Sequence, residues 1–298
     1  RLEPYSFRAG PAAASSSMAS AQALVAVSHA EHSALAQKAK AEFDPGAIRI
    51  CAKMWDGGPI PRGKKLVHWV RHGQGYHNLL SEVSRRLGAS FSESGDYDLA
   101  KKDPFNPYLL EAIQDPPLTS LGRKDARNLQ PLAKTLNPQL LVVSPLKRAT
   151  QTILIAFRDK LAKEKPPAVI AHEGCREHLG VHQCDRRCSR SEYVEEFPNI
   201  DVTNVEHDED PMSLTRRETY PEMAHRSHAF MLWMRDQTAN EIAVGTHSAF
   251  LMATFNIAME LDAPDEMKSF FKTGELRSVV LDFVEKNGEP AEKRQRIV

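Results

Sequence analysis

From Lys65 onward the chain alternates short apolar runs with amphipathic stretches, and this alternation narrows the fold more than any other feature. The runs are LVHWV at 66–70, LLVV at 140–143, AVIA at 168–171, EIAVGT at 241–246 and SVVLDFV at 278–284. Short runs rich in Val, Ile and Leu suit strands covered on both faces, as in a mostly parallel sheet. Between them, Leu146, Ala149, Ile153 and Phe157 recur at helical spacing behind Ser144-Pro145, where Ser suits an N-cap and Pro the first helical position. Met223–Met234 and Ser248–Glu260 read as two more helices, and Leu121–Leu136 as one broken or kinked at Pro131. The βαβα order predicts an α/β fold, a three-layer doubly wound and mostly parallel sheet with helices on both faces. Two long segments interrupt it, Gly88–Pro117 and His172–Pro211. Insertions of that length tend to be pocket walls or lids, so they are expected to form a cap over the carboxyl ends of the strands.

With 298 residues and 41% hydrophobic composition, the chain can bury a substantial core, which excludes disorder of the whole. The expected division is an N-terminal extension over 1–61, partly disordered or helical, a catalytic domain over 62–286 and a tail over 287–298. An ordinary helix is expected near Ala19–Ala41, although the Ala- and Ser-rich, acid-poor start also suggests the remnant of a transit peptide. The location expected is therefore the cytoplasm, with an organelle as the alternative. Lys plus Arg balances Asp plus Glu at 39 each, so no global field favours nucleic acid or an anionic membrane. No apolar run reaches the roughly 20 residues of a membrane-spanning helix. The cysteines, Cys51, Cys175, Cys184 and Cys188, are too few for a disulfide scaffold. Oligomeric state has no signature in the sequence.

In an open α/β sheet, ligands bind beyond the carboxyl ends of the strands, so the residues just after each run are informative. LVHWV leads into Arg71-His72-Gly73-Gln74-Gly75-Tyr76-His77-Asn78, LLVV into Ser144-Pro145-Leu146-Lys147-Arg148, AVIA into His172-Glu173-Gly174-Cys175-Arg176-Glu177, and EIAVGT into His247-Ser248. Singly, each of these side chains has an ordinary explanation as a solvated or core polar group. Together, two guanidiniums that bind phosphate oxygens bidentately, two imidazoles and a carboxylate suit phosphoryl transfer. Gly73 and Gly75 would let the backbone approach a ligand, and the next helix would offer its first amides to an anion.

These residues resemble the histidine phosphatase superfamily, the phosphoglycerate-mutase-like proteins. Arg71-His72-Gly73 with Asn78 matches its signature triplet, and Pro117-Leu118-Thr119-Ser120-Leu121-Gly122 its "LTxxG" helix start. Ser144–Thr152 matches "SPLxRAxQT", and Gly245-Thr246-His247 the second-histidine motif; the set spans about residues 64–250 in the family's order. The resemblance implies a phosphatase working through a phosphohistidine on His72, with Arg71, Arg148 and His247 around the phosphoryl group and Gly73 and Asn78 beside them. It implies a small phosphorylated substrate, and neither metal nor cofactor. Flanking guanidiniums should lower the pKa of His72 and keep it nucleophilic. The family places an acid after its third strand, where Glu177 fits best and Glu173 is the alternative; an internal salt bridge is the competing role for Glu177.

Residues 180–187, GVHQCDRR, resemble the "GxHxCDxR" stretch of a eukaryotic phosphatase-like branch, in which His182, Arg186 and Arg187 would shape the substrate pocket. Cys175, His178, His182, Cys184 and Cys188 invite a zinc reading, but no CxxC pair is present. Phosphoglycerate mutase activity is the runner-up; Gln74-Gly75, where mutases carry Glu-Ser, and the long insertion before Leu118 depart from it. A non-catalytic phospho-ligand-binding module ranks third, since both histidines and both arginines are retained.

Overall fold

The computed structural model describes residues 34–89 and 106–286. The Ala- and Ser-rich start, the tail 287–298 and residues 90–105 of the first insertion lie outside the described residues.

Strands form where apolar runs can be buried from both sides. β2 (Lys65–Arg71), β3 (Leu140–Val143), β4 (Ala168–His172), β6 (Glu241–Thr246) and β8 (Leu276–Glu285) are the five runs, joined by β1 (Ile48–Met54), β5 (Asp201–Asn204) and β7 (Glu260–Asp262). They make one sheet in the order β5-β4-β3-β6-β2-β8-β1-β7. From β5 to β2 all neighbours are parallel, as are β1 and β7, whereas β8 runs antiparallel to both β2 and β1. Ile48–Met54 is a correction to the sequence reading, which put it in an extension: it pairs along its whole length with β8.

Successive residues of a strand point to opposite faces, and here each face meets a core. Leu140, Val142, Ile242 and Val244 enter one with Trp69, Met231 and Phe250; Leu141, Val143, Ala243 and Val70 enter the other with Ile153 and Phe157. Each fully buried Val, Leu or Ile contributes roughly 1.5–3 kcal/mol, which explains why these runs tolerate no polar face. The fold is therefore the expected three-layer arrangement.

Helix α1 (34–42) sets Ala36 and Ala39 into the first core. It is followed by α2 (Tyr76–Arg86), α3 (Ser120–Asn128), α4 (Gln130–Thr135), α5 (Lys147–Ala156), α6 (Arg158–Leu161), α7 (Arg190–Glu196), α8 (Tyr220–Asp236) and α9 (Ser248–Ala253), the last running into a π turn over Thr254–Ala258. The break between α3 and α4 falls at Leu129, as Pro131 requires. Helix α8 starts on a capping box: Thr219 Oγ1 accepts from the Glu222 amide while the Glu222 carboxylate accepts from the Thr219 amide. Among the described residues no helix is long and apolar enough to cross a membrane.

The two insertions meet at the carboxyl ends of β2, β3, β4 and β6. Asp115 accepts from the Lys147 amide at 2.8 Å and from the Cys188 amide at 3.0 Å, and Gln114 donates to Arg187 O. One carboxylate thus ties the first insertion, the turn after β3 and the second insertion together.

Candidate active site

The expected N-cap at Ser144 is not formed. Helix α5 begins at Lys147, with Leu146 as an N-cap that makes no side-chain bond. Ser144 is instead buried with its hydroxyl 2.8 Å from His247 Nε2, a contact that sequence periodicity could not separate from a helix start.

His72 leaves the end of β2 and is 1% exposed. Its Nδ1 lies 2.7 Å from Gly73 O, and a carbonyl can only accept, so Nδ1 carries the proton. Nε2 accepts from Arg148 Nε at 3.3 Å, which again demands a lone pair there. Two contacts therefore fix one neutral tautomer, with the lone pair on Nε2. Burial first, then the Arg148 and Arg71 guanidiniums, push the His72 pKa well below its ordinary value. The expected direction holds, but desolvation outweighs the guanidiniums.

His247 follows β6, and its ring centroid is 5.0 Å from that of His72. Its Nδ1 is buried without a partner, and its pKa is lowered by burial and then by Arg148. Arg148, on the first turn of α5, is fully buried: Nε reaches His72, Nη1 donates to Cys184 O at 2.6 Å and Nη2 to Asp185 Oδ1 at 2.9 Å. Arg71 donates to Phe271 O at 2.5 Å while adding its field to His72. His72, His247, Arg71 and Arg148 thus converge.

Glu177 sits against the turn that follows His247. Its Oε1 accepts from the Ala249 amide at 3.0 Å and the Phe250 amide at 3.1 Å, and Oε2 from the Ser248 hydroxyl at 3.3 Å. Burial, reinforced by the charge of Asp185, raises its pKa from the ordinary value, against the pull of Arg148 and the amides. Glu173 is placed differently, bonded to Arg176 Nη1 at 2.8 Å and Arg187 Nε at 2.7 Å. It is a structural counter-ion, and Arg187 is one too: it also donates to the carbonyls of Cys188, His207 and Asp208.

At Gly73 the space for a side chain is taken up by backbone. A Cβ on Gly73 would stand 2.4 Å from Gly122 O, and one on Gly122 would stand 2.1 Å from Gln74 O. The backbones of the RHG turn and the α3 start therefore interlock, leaving no room for a side chain. The first amides of α2 are mostly engaged within the protein, with Tyr76 N on Pro117 O and Asn78 N on Gly75 O. Asn78 turns its Oδ1 to the Gly75 amide at 3.0 Å as part of the helix start.

His182 is buried, its Nδ1 3.8 Å from Asp185 and its Nε2 without a partner. A line of rings links it to the nucleophile, from His182 to Tyr108 at 5.1 Å, Tyr108 to His77 at 6.1 Å and His77 to His72 at 5.6 Å. Arg186 is half-buried and its Nε has no hydrogen-bond partner. Of the residues weighed for zinc, His182 and Cys184 come within 4.8 Å of each other together with Asp185. That carboxylate already takes Arg148 and Arg217, so a cation would meet like charge. Cys175 and His178 are turned to the His172 and Glu218 carbonyls. Sequence reasoning missed Ser144, His77, Tyr108 and Asp185; the first two lie within motifs it quoted, and Tyr108 lies in an insertion without one.

Comparison with known proteins places the chain in a family. The family model of the histidine phosphatase superfamily (branch 1) matches residues 109–289, beginning beyond the RHG triplet. Phosphoglycerate mutase-like protein 1 of Arabidopsis thaliana is 32% identical over 250 residues, covering 73% of this chain and 81% of that protein. Phosphoglycerate mutase-like protein 2 of the same plant is 31% identical over 276 residues, covering 73% and 74%. Among solved structures, the α-ribazole phosphatase of Shigella flexneri is 17% identical, with a TM-score of 0.41 over 77% of this chain and 95% of that one. On the family match and the Arabidopsis relatives, the chain belongs to the histidine phosphatase superfamily.

Proposed function

We propose that this protein hydrolyses phosphate monoesters of small molecules through a phosphohistidine on His72. The observation that carries the reading is the double fixing of His72, with Nδ1–H on Gly73 O and Nε2 facing Arg148 at 3.3 Å. A neutral imidazole with its lone pair beside a buried guanidinium is placed to attack a phosphorus whose oxygens that guanidinium stabilises. Nε2 forms the N–P bond as the ester P–O bond breaks, and Glu177 in its protonated form, which burial and Asp185 favour, gives its proton to the leaving oxygen. Glu177 then takes a proton from water as the water oxygen attacks phosphorus, the N–P bond breaks and phosphate leaves. No step calls on a metal ion.

The test is acid-quenched single turnover of a generic aryl phosphate in chelator-treated buffer. Label is expected on His72, and His72→Ala should fold normally yet lose turnover. Substantial phosphatase activity in a folded His72→Ala protein would refute the assignment.

The names of the Arabidopsis relatives favour one second reading, phosphoglycerate mutase activity. A mutase must keep its phosphohistidine long enough to re-donate it. Stimulation by a bisphosphorylated activator, with label persisting on His72, would select the mutase; rapid loss of label to water selects the phosphatase.

A further inference from the structure

Asp185 closes the turn Gln183–Asp185 of the second insertion and is almost fully buried. Its Oδ1 accepts from Arg148 Nη2 at 2.9 Å and its Oδ2 from Arg217 Nη1 at 3.2 Å. The same turn supplies Cys184 O to Arg148 Nη1 at 2.6 Å, while Arg176 Nη2 holds Asp185 O at 2.7 Å. The charged and titratable groups facing this carboxylate are Arg148 from α5, Arg217 from the stretch before α8, His182 and Cys184 from its own turn, and Glu177, which lies in its field.

A guanidinium is a rigid planar fork, so fixing its two outer nitrogens fixes the direction of Nε. In this protein both outer nitrogens of Arg148 are held by residues 184 and 185, and Nε then points at His72 Nε2. Resting on the phosphohistidine reading, we propose that Asp185 is a positioning residue of the reaction, which clamps the Arg148 guanidinium in the orientation that faces the attacking atom of His72. Its negative charge has a second consequence, because it favours the neutral form of Glu177, the proton donor.

The experiment is a double-mutant cycle on the full chain with D185N, R148Q and both together, reading the rate of His72 phosphorylation by an aryl phosphate. Asn keeps the shape of the side chain and removes its charge. Acting through Arg148, the D185N change should slow phosphorylation about tenfold or more in the otherwise unaltered protein, and less than about twofold beside R148Q. With an alkyl phosphate, D185N should also move the alkaline limb of kcat/KM to lower pH, since Glu177 then loses its proton more easily. Equal losses in both backgrounds, or a folded D185N protein with unaltered rate and limb, would overturn the proposal. If D185N melts too low to assay, D185E takes its place, because it keeps the charge and displaces it by one methylene. A loss seen only where Arg148 is present supports the clamp, and equal losses overturn it. An unaltered protein that puts no phosphate on His72 would overturn the phosphatase reading and this proposal with it, whereas normal phosphorylation with an additive cycle removes only Asp185.

Discussion

Arg148 serves three partners with one side chain, and no other cation could do so. Its Nε faces His72, one outer nitrogen meets the Cys184 carbonyl and the other the Asp185 carboxylate. Lysine in its place would keep the charge but offer a point donor instead of a planar fork. Arg148→Lys is accordingly expected to lower kcat/KM about a hundredfold or more, on the scale of losing one preorganised donor to a transition-state oxygen. Steady-state kinetics on an aryl phosphate checks this, and a loss below about tenfold would mean that charge alone suffices. At this scale the sequence was informative where chemistry comes with a fixed local pattern. Arg71, His72, Arg148 and His247 each follow an apolar run within a short motif, and all four meet. Tyr108 comes from an insertion without a motif, and Asp185 lies within the GVHQCDRR stretch, which does not say which way each of its side chains turns.

The second insertion shapes much of the site, and it is tied by buried ion pairs as well as by the apolar packing of Tyr193, Phe197, Ile200 and Val205. Arg176, almost fully buried, bonds both oxygens of Asp210, at 2.9 and 2.5 Å, and the same carboxylate caps the amides of Arg187 and Met212 at 2.8 and 2.9 Å. Burial pushes the Asp210 pKa up, but the Arg176 bonds and these amides outweigh it and hold the group ionised below its usual value. Removing one partner of such a pair leaves the other charge buried and uncompensated, at a cost of about 3–5 kcal/mol. Asp210→Asn should thus lower the unfolding free energy by that amount, seen as an earlier denaturant midpoint with an unchanged slope, and turnover should fall as Glu177 and Asp185 lose their support. A change under about 1 kcal/mol would show that the insertion is held by other contacts. The strands were legible in proportion to their burial. β2, β3 and β6 are buried on both faces and stand out, whereas β1 alternates as IRICAKM, β5 is only half-covered and β7 has three residues. The antiparallel course of β8 leaves no mark on composition, because a strand buried between two neighbours reads the same in either direction.

Taken as a whole, the molecule buries imidazoles in numbers that must govern its response to acid. His72, His77, His182 and His247 are lowered well below the ordinary histidine value, His172 falls to about 4, and His228 is lowered as well. Burial is the leading cause in all six, aided in the site by the guanidiniums around them. A histidine depressed in the fold binds its proton more readily when unfolded, so its contribution is complete above about pH 6.5 and drains away as pH falls below that value. Asp115 and Glu177 work in the opposite sense: burial raises both, and what they contribute is lost as pH rises through their folded values. Six groups against two leave the histidines dominant between pH 7.5 and 5.5. Each adds up to about 1.4 kcal/mol per pH unit to the slope once the unfolded chain is protonated and the fold is not. Thermal melts across that range should therefore show Tm falling steeply below pH 6.5. Inorganic phosphate, if it binds among Arg71, Arg148 and the site imidazoles, should flatten the fall by making their protonation less costly in the folded state. A Tm that stays level or rises from pH 7.5 to 5.5 would mean that these rings are hydrated and titrate as they do in the unfolded chain, and His72 would then be largely protonated, and unable to attack, below about pH 6.5.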